Sequence, residues 1–135
     1  MGQHVLLIED EPSIAEAIRF ILARDGWEVT WHGDGLGAIE AIARHRPDAV
    51  ILDVMLPGRS GHDILRDLRA DPATAHLPVL VLTARGNGTD RNRAVEAGAS
   101  RFMAKPFSNA AFLEALHALV AAAGAGPARS AAGGA

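Results

Sequence analysis

The sequence predicts an α/β fold, a parallel sheet with helices on both faces, built from five successive strand–helix units and ending on a helix. Three observations lead there. Val5-Leu6-Leu7-Ile8, Ala49-Val50-Ile51-Leu52 and Val79-Leu80-Val81-Leu82 are short unbroken apolar runs rather than alternating ones, as strands buried on both faces require. Between these runs the apolar residues recur at helical spacing, so strands and helices alternate. A length of 135 residues, 49% hydrophobic and 21% charged, suits one folded unit with one hydrophobic core and excludes disorder as the overall description.

Taken in order, the first strand leads into a helix whose stripe is Ile14, Ile18, Ile21 and Leu22. Pro12 stands where a first helical turn tolerates it, and Gly26 where a C-terminal cap falls. Glu28 to Trp31 is a shorter, partly polar strand and belongs at a sheet edge. Leu36, Ile39, Ile42 and Ala43 mark the second helix, and Ile64, Leu65 and Leu68 the third. Ala94 and Val95, after Asp90-Arg91, mark a weaker fourth helix ending near Gly98. Arg101 to Ala104 is the second edge strand. Phe112, Leu113, Leu116, Leu119 and Val120 form the last helical stripe, with Ser108 as its N-cap. From Ala121 onward the chain holds eight Ala, four Gly and one each of Pro, Arg and Ser. The expected division is therefore a folded unit over residues 1–121 and a flexible Ala/Gly-rich tail over 122–135.

Composition narrows the function. No run approaches the length of a membrane span. Near the N-terminus, Leu6 occupies the position where myristoylation needs Ser or Thr, and a basic segment followed by an apolar run is missing, so no secretory signal is read. The absence of cysteine removes disulfides and thiolate catalysis and agrees with a reducing cytoplasm. A net charge of −3 argues against direct nucleic-acid binding by this chain.

In an open α/β sheet, ligands bind beyond the carboxyl ends of the strands. The first strand runs into Glu9-Asp10-Glu11, the third into Asp53, the fourth into Thr83 and the fifth into Lys105. Each alone has a plain reading: an acidic turn complements a helix dipole, Asp53 before Pro57-Gly58 is turn chemistry, and Lys105 is a solvated charge. Together they are harder to dismiss. An Asp directly after Val50-Ile51-Leu52 sits at the rim of a buried strand, where an uncompensated charge costs several kcal/mol. A neighbouring lysine and a hard, oxygen-preferring cation would each compensate it.

With these residues in place, the chain resembles the receiver domains of two-component response regulators, the CheY-like family. The resemblance covers residues 4 to about 121 and rests on four motifs in order: Leu7-Ile8-Glu9-Asp10-Glu11-Pro12, Ile51-Leu52-Asp53-Val54-Met55-Leu56-Pro57-Gly58, Leu82-Thr83-Ala84-Arg85, and Phe102-Met103-Ala104-Lys105-Pro106-Phe107. It implies a doubly wound (βα)5 fold, flavodoxin-like, with strand order 2-1-3-4-5. It further implies that Asp53 is the phospho-acceptor, taking a phosphoryl group from a sensor histidine kinase or histidine phosphotransferase, with later hydrolysis by in-line water. Mg2+ is then the implied cofactor, with Asp10 as direct ligand, Glu9 acting through water, and Asp53 and the Met55 backbone carbonyl completing the protein's share. Lys105 would pair with phosphoryl oxygens, and the Thr83 hydroxyl would bond one of them. Thr83 and Phe102 are the implied switch pair, Lys105-Pro106 the implied cis peptide, and the face of the fourth helix, fifth strand and fifth helix the implied docking surface for a downstream protein or a linked output domain.

Charge supports the same chemistry. Glu9, Asp10 and Asp53 carry three formal negative charges and Lys105 returns one, so a dianionic donor needs a divalent cation to approach. The chain departs from the winged-helix branch of the family, which pairs acids before strand five with arginines of the last helix. Here Ser100-Arg101 precedes Phe102, and Phe112 to His117 contains no Arg, which argues against that dimer. A flavodoxin-like FMN carrier would need a hydroxyl-rich loop after the first strand, where Glu9-Asp10-Glu11 would repel the phosphate. A phosphorylation-independent pseudo-receiver would lack one of the acids or Lys105, all of which are present. The six histidines and both tryptophans, Trp27 and Trp31, read as packing or surface residues.

Overall fold

A computed structural model describes residues 3–54, 56, 58–83, 88–105 and 107–124, with main chain alone at 88–91 and 123–124. Five strands alternate with five helices: β1 His4–Ile8, α1 Pro12–Arg24, β2 Glu28–His32, α2 Ala38–His45, β3 Ala49–Asp53, α3 Gly61–Ala70, β4 Val79–Thr83, α4 Gly88–Ala97, β5 Arg101–Ala104 and α5 Asn109–Gly124. All pairings are parallel and the sheet order is β2-β1-β3-β4-β5. The two partly polar strands lie at the edges as expected. β3 and β4 are buried along their whole length, which is why their sequences show no alternation.

Where one core was expected, the sheet divides the interior into two. On one face Leu6, Ile8, Leu52 and Val81 pack with Ala38, Ala41 and Ile42 of α2, Ile64, Leu65 and Leu68 of α3, and Ala94 and Ala97 of α4. On the other, Val5, Leu7, Ile51, Leu80 and Leu82 pack with Ala15, Ile18 and Leu22 of α1 and Phe112, Leu116 and Leu119 of α5. A five-stranded sheet buries both faces only if helices cover each, so two layers follow from the unbroken strands themselves.

Helix ends match their local signals. Pro12 opens α1, and Gly26 follows it at φ 93°, a conformation that costs glycine little. The Ser108 hydroxyl accepts from the Ala111 amide at 3.0 Å, capping α5 as expected. Three side chains depart from the expected stripes. Leu36 precedes α2 and is 62% exposed, Ala43 is exposed, and small Ala38 and Ala41 occupy the buried face with Ile42. Val95 of α4 is 60% exposed, and Ala94 and Ala97 face the core instead. Small residues let α2 and α4 approach the sheet closely, and a scan for large apolar side chains passes over them. Among the described residues no helix is long and apolar enough to cross a membrane.

Candidate functional site

The acidic residues meet because the strand order reverses at β1 and β3. β1 pairs with both β2 and β3, so the β1–α1 and β3–α3 connections leave the sheet in opposite directions and open a crevice between them. Glu9 and Asp10 follow β1, and Asp53 ends β3. One carboxylate oxygen from each lies within 4.8 Å of the others. Glu9 is fully buried and Asp53 is 4% exposed, whereas Asp10 faces solvent.

Lys105 follows β5, two strands from Asp53, and its chain has to cross the end of β4. Its ammonium stands 3.4 Å from Glu9 Oε1 and 3.4 Å from Asp53 Oδ2. Both separations exceed those of a strong charge-assisted hydrogen bond, so one cation is shared loosely by two acids. The Lys105 backbone is held more firmly: its amide donates to the Thr83 carbonyl at 2.7 Å. Thr83 is buried at the end of β4, beside Asp53's strand.

Burial and the Asp53 charge push the Glu9 carboxyl up to about 7, against the opposing pull of the Glu11 amide and Lys105. Negative charge is therefore in excess here. The donors are all carboxylate oxygens, as suits a hard divalent cation, and the cluster is the one group of three such residues among the described residues.

Of the expected set, the described residues Glu9, Asp10, Asp53, Thr83 and Lys105 stand on this edge of the sheet, and Phe102 lies further back along β5. Glu9, Asp10, Asp53 and Lys105 are brought together directly, and Thr83 lies on the strand between Asp53 and Lys105. Phe102 is half-buried against the α2–α3–α4 core and pairs in register with Val81, while Thr83 pairs with Ala104. Thr83 and Phe102 thus share one face of the sheet. The Met55 carbonyl, Pro106 of the Lys105-Pro106 peptide, residues 84–87 and residues 125–135 lie outside the described residues, while α5 continues through 122–124, the first part of the expected tail.

Two residues of the site were not anticipated. Gly61, at the start of α3, lies so close to the strand end that a β-carbon there would meet the Asp53 carbonyl oxygen at 2.5 Å and Val54 Cα at 2.7 Å. Its signal was present in Ser60-Gly61, a cap residue followed by a residue without a side chain. Trp31 was expected only to pack, yet its indole donates to the Glu9 carbonyl at 2.6 Å.

Residues 5–117 match the response regulator receiver domain model. The transcriptional regulatory protein KdpE of Mycobacterium tuberculosis is 44% identical over 116 residues, covering 86% of this chain and 50% of KdpE. The DNA-binding response regulator MtrA of Mycolicibacterium smegmatis is 40% identical over 107 residues, covering 79% of this chain and 46% of MtrA. The chain therefore spans about half the length of the curated relatives it matches. A solved receiver domain of the sensor histidine kinase PA1611 from Pseudomonas aeruginosa, with magnesium coordinated in its active-site cleft, superposes with a TM-score of 0.84 at 33% identity, over 90% of this chain and all of that one. The beryllofluoride-activated receiver domain of Klebsiella pneumoniae RstA superposes with a TM-score of 0.81 at 32% identity, over 87% and 97%. With its strand order, its acid cluster and these matches in agreement, the chain belongs to the response regulator receiver domain family.

Proposed function

We propose that the chain is the phosphorylation switch of a bacterial two-component pathway, with Asp53 accepting a phosphoryl group from the phosphohistidine of a sensor histidine kinase or a histidine phosphotransferase. The observation that carries this reading is the crowding of carboxylate oxygens of Glu9, Asp10 and Asp53 within 4.8 Å of one another, with one ammonium shared by Glu9 and Asp53. A purely structural site would not leave that charge unbalanced.

In the transfer, an Asp53 oxygen attacks phosphorus while the imidazole nitrogen leaves with the electrons of the breaking N–P bond. Lys105 turns from the acids toward the incoming phosphoryl oxygens, and the Thr83 hydroxyl donates to one of them. The chain's main contribution is an aligned nucleophile and charge neutralisation, which is most of what phosphoryl transfer requires. Glu9, Asp10 and Asp53, joined by the Met55 carbonyl, would hold Mg2+, which supplies when bound the positive charge that a dianionic donor needs. Intact acids and Lys105 argue against a pseudo-receiver, and the acidic loop against a phosphate-binding flavin carrier.

The output follows from the shared face of Thr83 and Phe102. Movement of Thr83 toward a phosphoryl group on Asp53 frees space beside Phe102, whose ring rearranges and alters the surface formed by α4, β5 and α5. That surface docks a downstream protein or linked output domain in the cytoplasm, and this chain itself touches no DNA. With acetyl phosphate and Mg2+, the chain should take up one acid-stable, base-labile phosphoryl group. EDTA should abolish the labelling, and Asp53→Asn should lower it at least about a hundredfold. Equal labelling of Asp53→Asn, or labelling indifferent to EDTA, would show the crevice to be misread.

A further inference from the structure

Trp31 stands on edge strand β2, in register with Leu7, and so faces the α1 side of the sheet. Its ring is 37% exposed, yet it is held at both ends. The Arg19 guanidinium of α1 lies 5.8 Å over the ring centroid, and the indole N–H donates to the Glu9 backbone carbonyl at 2.6 Å.

That carbonyl occupies a sensitive place. The Glu9 amide still bonds the His32 carbonyl at 3.2 Å, so the sheet sets the peptide entering Glu9. The next peptide, joining Glu9 to Asp10, lies past the end of β1. Rotation about that peptide would swing the exposed Asp10 carboxylate relative to the buried Glu9 carboxylate. Trp31 supplies there the donor that a longer β2–β1 ladder would have supplied. Trp27 provides an internal contrast: its ring is buried, and its indole donates to Asp25 Oδ2 at 3.1 Å, away from the crevice.

We infer that Trp31 is a positioning residue of the acidic crevice: its indole N–H fixes the Glu9–Asp10 peptide and with it the spacing of the two carboxylates offered to a cation. The inference rests on the cation-binding reading proposed above. It reaches beyond that reading to a residue on an edge strand that carries no charge.

The test is titration of the chain and of its Trp31→Phe and Trp27→Phe variants with MgCl2 by calorimetry, with thermal melting in EDTA to verify the fold. Loss of one well-formed hydrogen bond should weaken Mg2+ binding by Trp31→Phe about fivefold, and Trp27→Phe should bind within about twofold of the parent. Unchanged binding by a folded Trp31→Phe overturns the inference and leaves the cation site standing, whereas no Mg2+ binding by the parent overturns both. A second measurement needs no variant that could misfold. The two indole N–H resonances of the 15N-labelled parent are followed during the same titration, and the one from Trp31 should move while that from Trp27 stays. A stationary Trp31 resonance, with Mg2+ demonstrably bound, also overturns the inference.

Discussion

At the N-terminal edge of the sheet Arg69 of α3 is partly buried and donates to four neutral acceptors: the Gly98 carbonyl at 2.8 Å, the Ala75 carbonyl at 3.1 Å, the Thr74 carbonyl at 3.2 Å and the Ser100 hydroxyl at 3.1 Å. Ser100 Oγ in turn accepts from the Val79 amide at 3.1 Å, where β4 begins. At the C-terminal edge three carboxylates crowd together, and one ammonium, 3.4 Å from Glu9 and 3.4 Å from Asp53, serves two of them. Both edges take charge out of water, but one spreads a cation over complete hydrogen bonds and the other concentrates anions. The first arrangement stabilises a fold; the second holds like charges together out of water at an energetic cost. α3 joins the two, beginning against Asp53 at Gly61 and carrying Arg69 near its far end.

The largest expected effect breaks the satisfied edge. Arg69→Ala removes four hydrogen bonds to a charged donor and unties α3 from the start of β5, so urea unfolding should show a loss of about 2–3 kcal/mol. Phosphoryl labelling per folded molecule should persist, because no acid has moved. Asp53→Asn should do the opposite, losing labelling without losing stability. If Asp53→Asn proves as destabilising as Arg69→Ala, the division between the edges fails.

A smaller effect sharpens the contrast through pH. The Glu9 carboxyl is raised from 4.5 to about 7 in the fold, so between those values the folded chain holds a proton that the unfolded chain has released. Stability therefore falls as pH rises through that window, with the contribution complete below 4.5 and lost above about 7. Glu9→Gln should flatten this slope, and under the proposed cation-binding reading saturating Mg2+ should flatten it too, by taking the place of the proton. Parallel slopes for the chain and Glu9→Gln in EDTA would remove Glu9 as their source. Burial also pushes the Arg69 guanidinium below its usual value, but arginine stays charged across the whole range and adds nothing to the slope.

The two edges also differ in how far the sequence revealed them. Asp53, Thr83 and the Glu9-Asp10 pair were visible because a lone polar residue directly after an unbroken apolar run has to sit at a strand end. Lys105 is separated from Glu9 by 96 positions, and only the parallel topology brings them together. Arg69 was invisible, since three of its four acceptors are backbone carbonyls that any sequence possesses. Trp31 escaped notice for the same reason, its partner being the Glu9 carbonyl. Stripes drawn through Leu36, Ala43 and Val95 failed because close helix–sheet packing selected Ala38, Ala41, Ala94 and Ala97 instead.

The smallest expected effect asks whether α3 transmits a disturbance from one edge to the other. Ser60 caps this helix, its hydroxyl accepting from the Asp63 amide at 3.2 Å, and Gly61 beside it bonds the Val54 carbonyl at 3.1 Å. Ser60→Ala leaves an amide of the first turn without that acceptor and should cost about 1 kcal/mol. The Gly61 bond and the close approach to Asp53 are made by backbone and survive the change, so labelling of Asp53 should stay within about twofold of the parent. Combined with Arg69→Ala, the stability losses should add, because the two residues sit at opposite ends of α3 and share no partner. A labelling loss beyond tenfold would show instead that the Ser60 cap, rather than the Gly61 backbone contact, holds the Asp53 strand end in place, and the acidic edge would then depend on the same kind of satisfied hydrogen bond as the edge it was contrasted with.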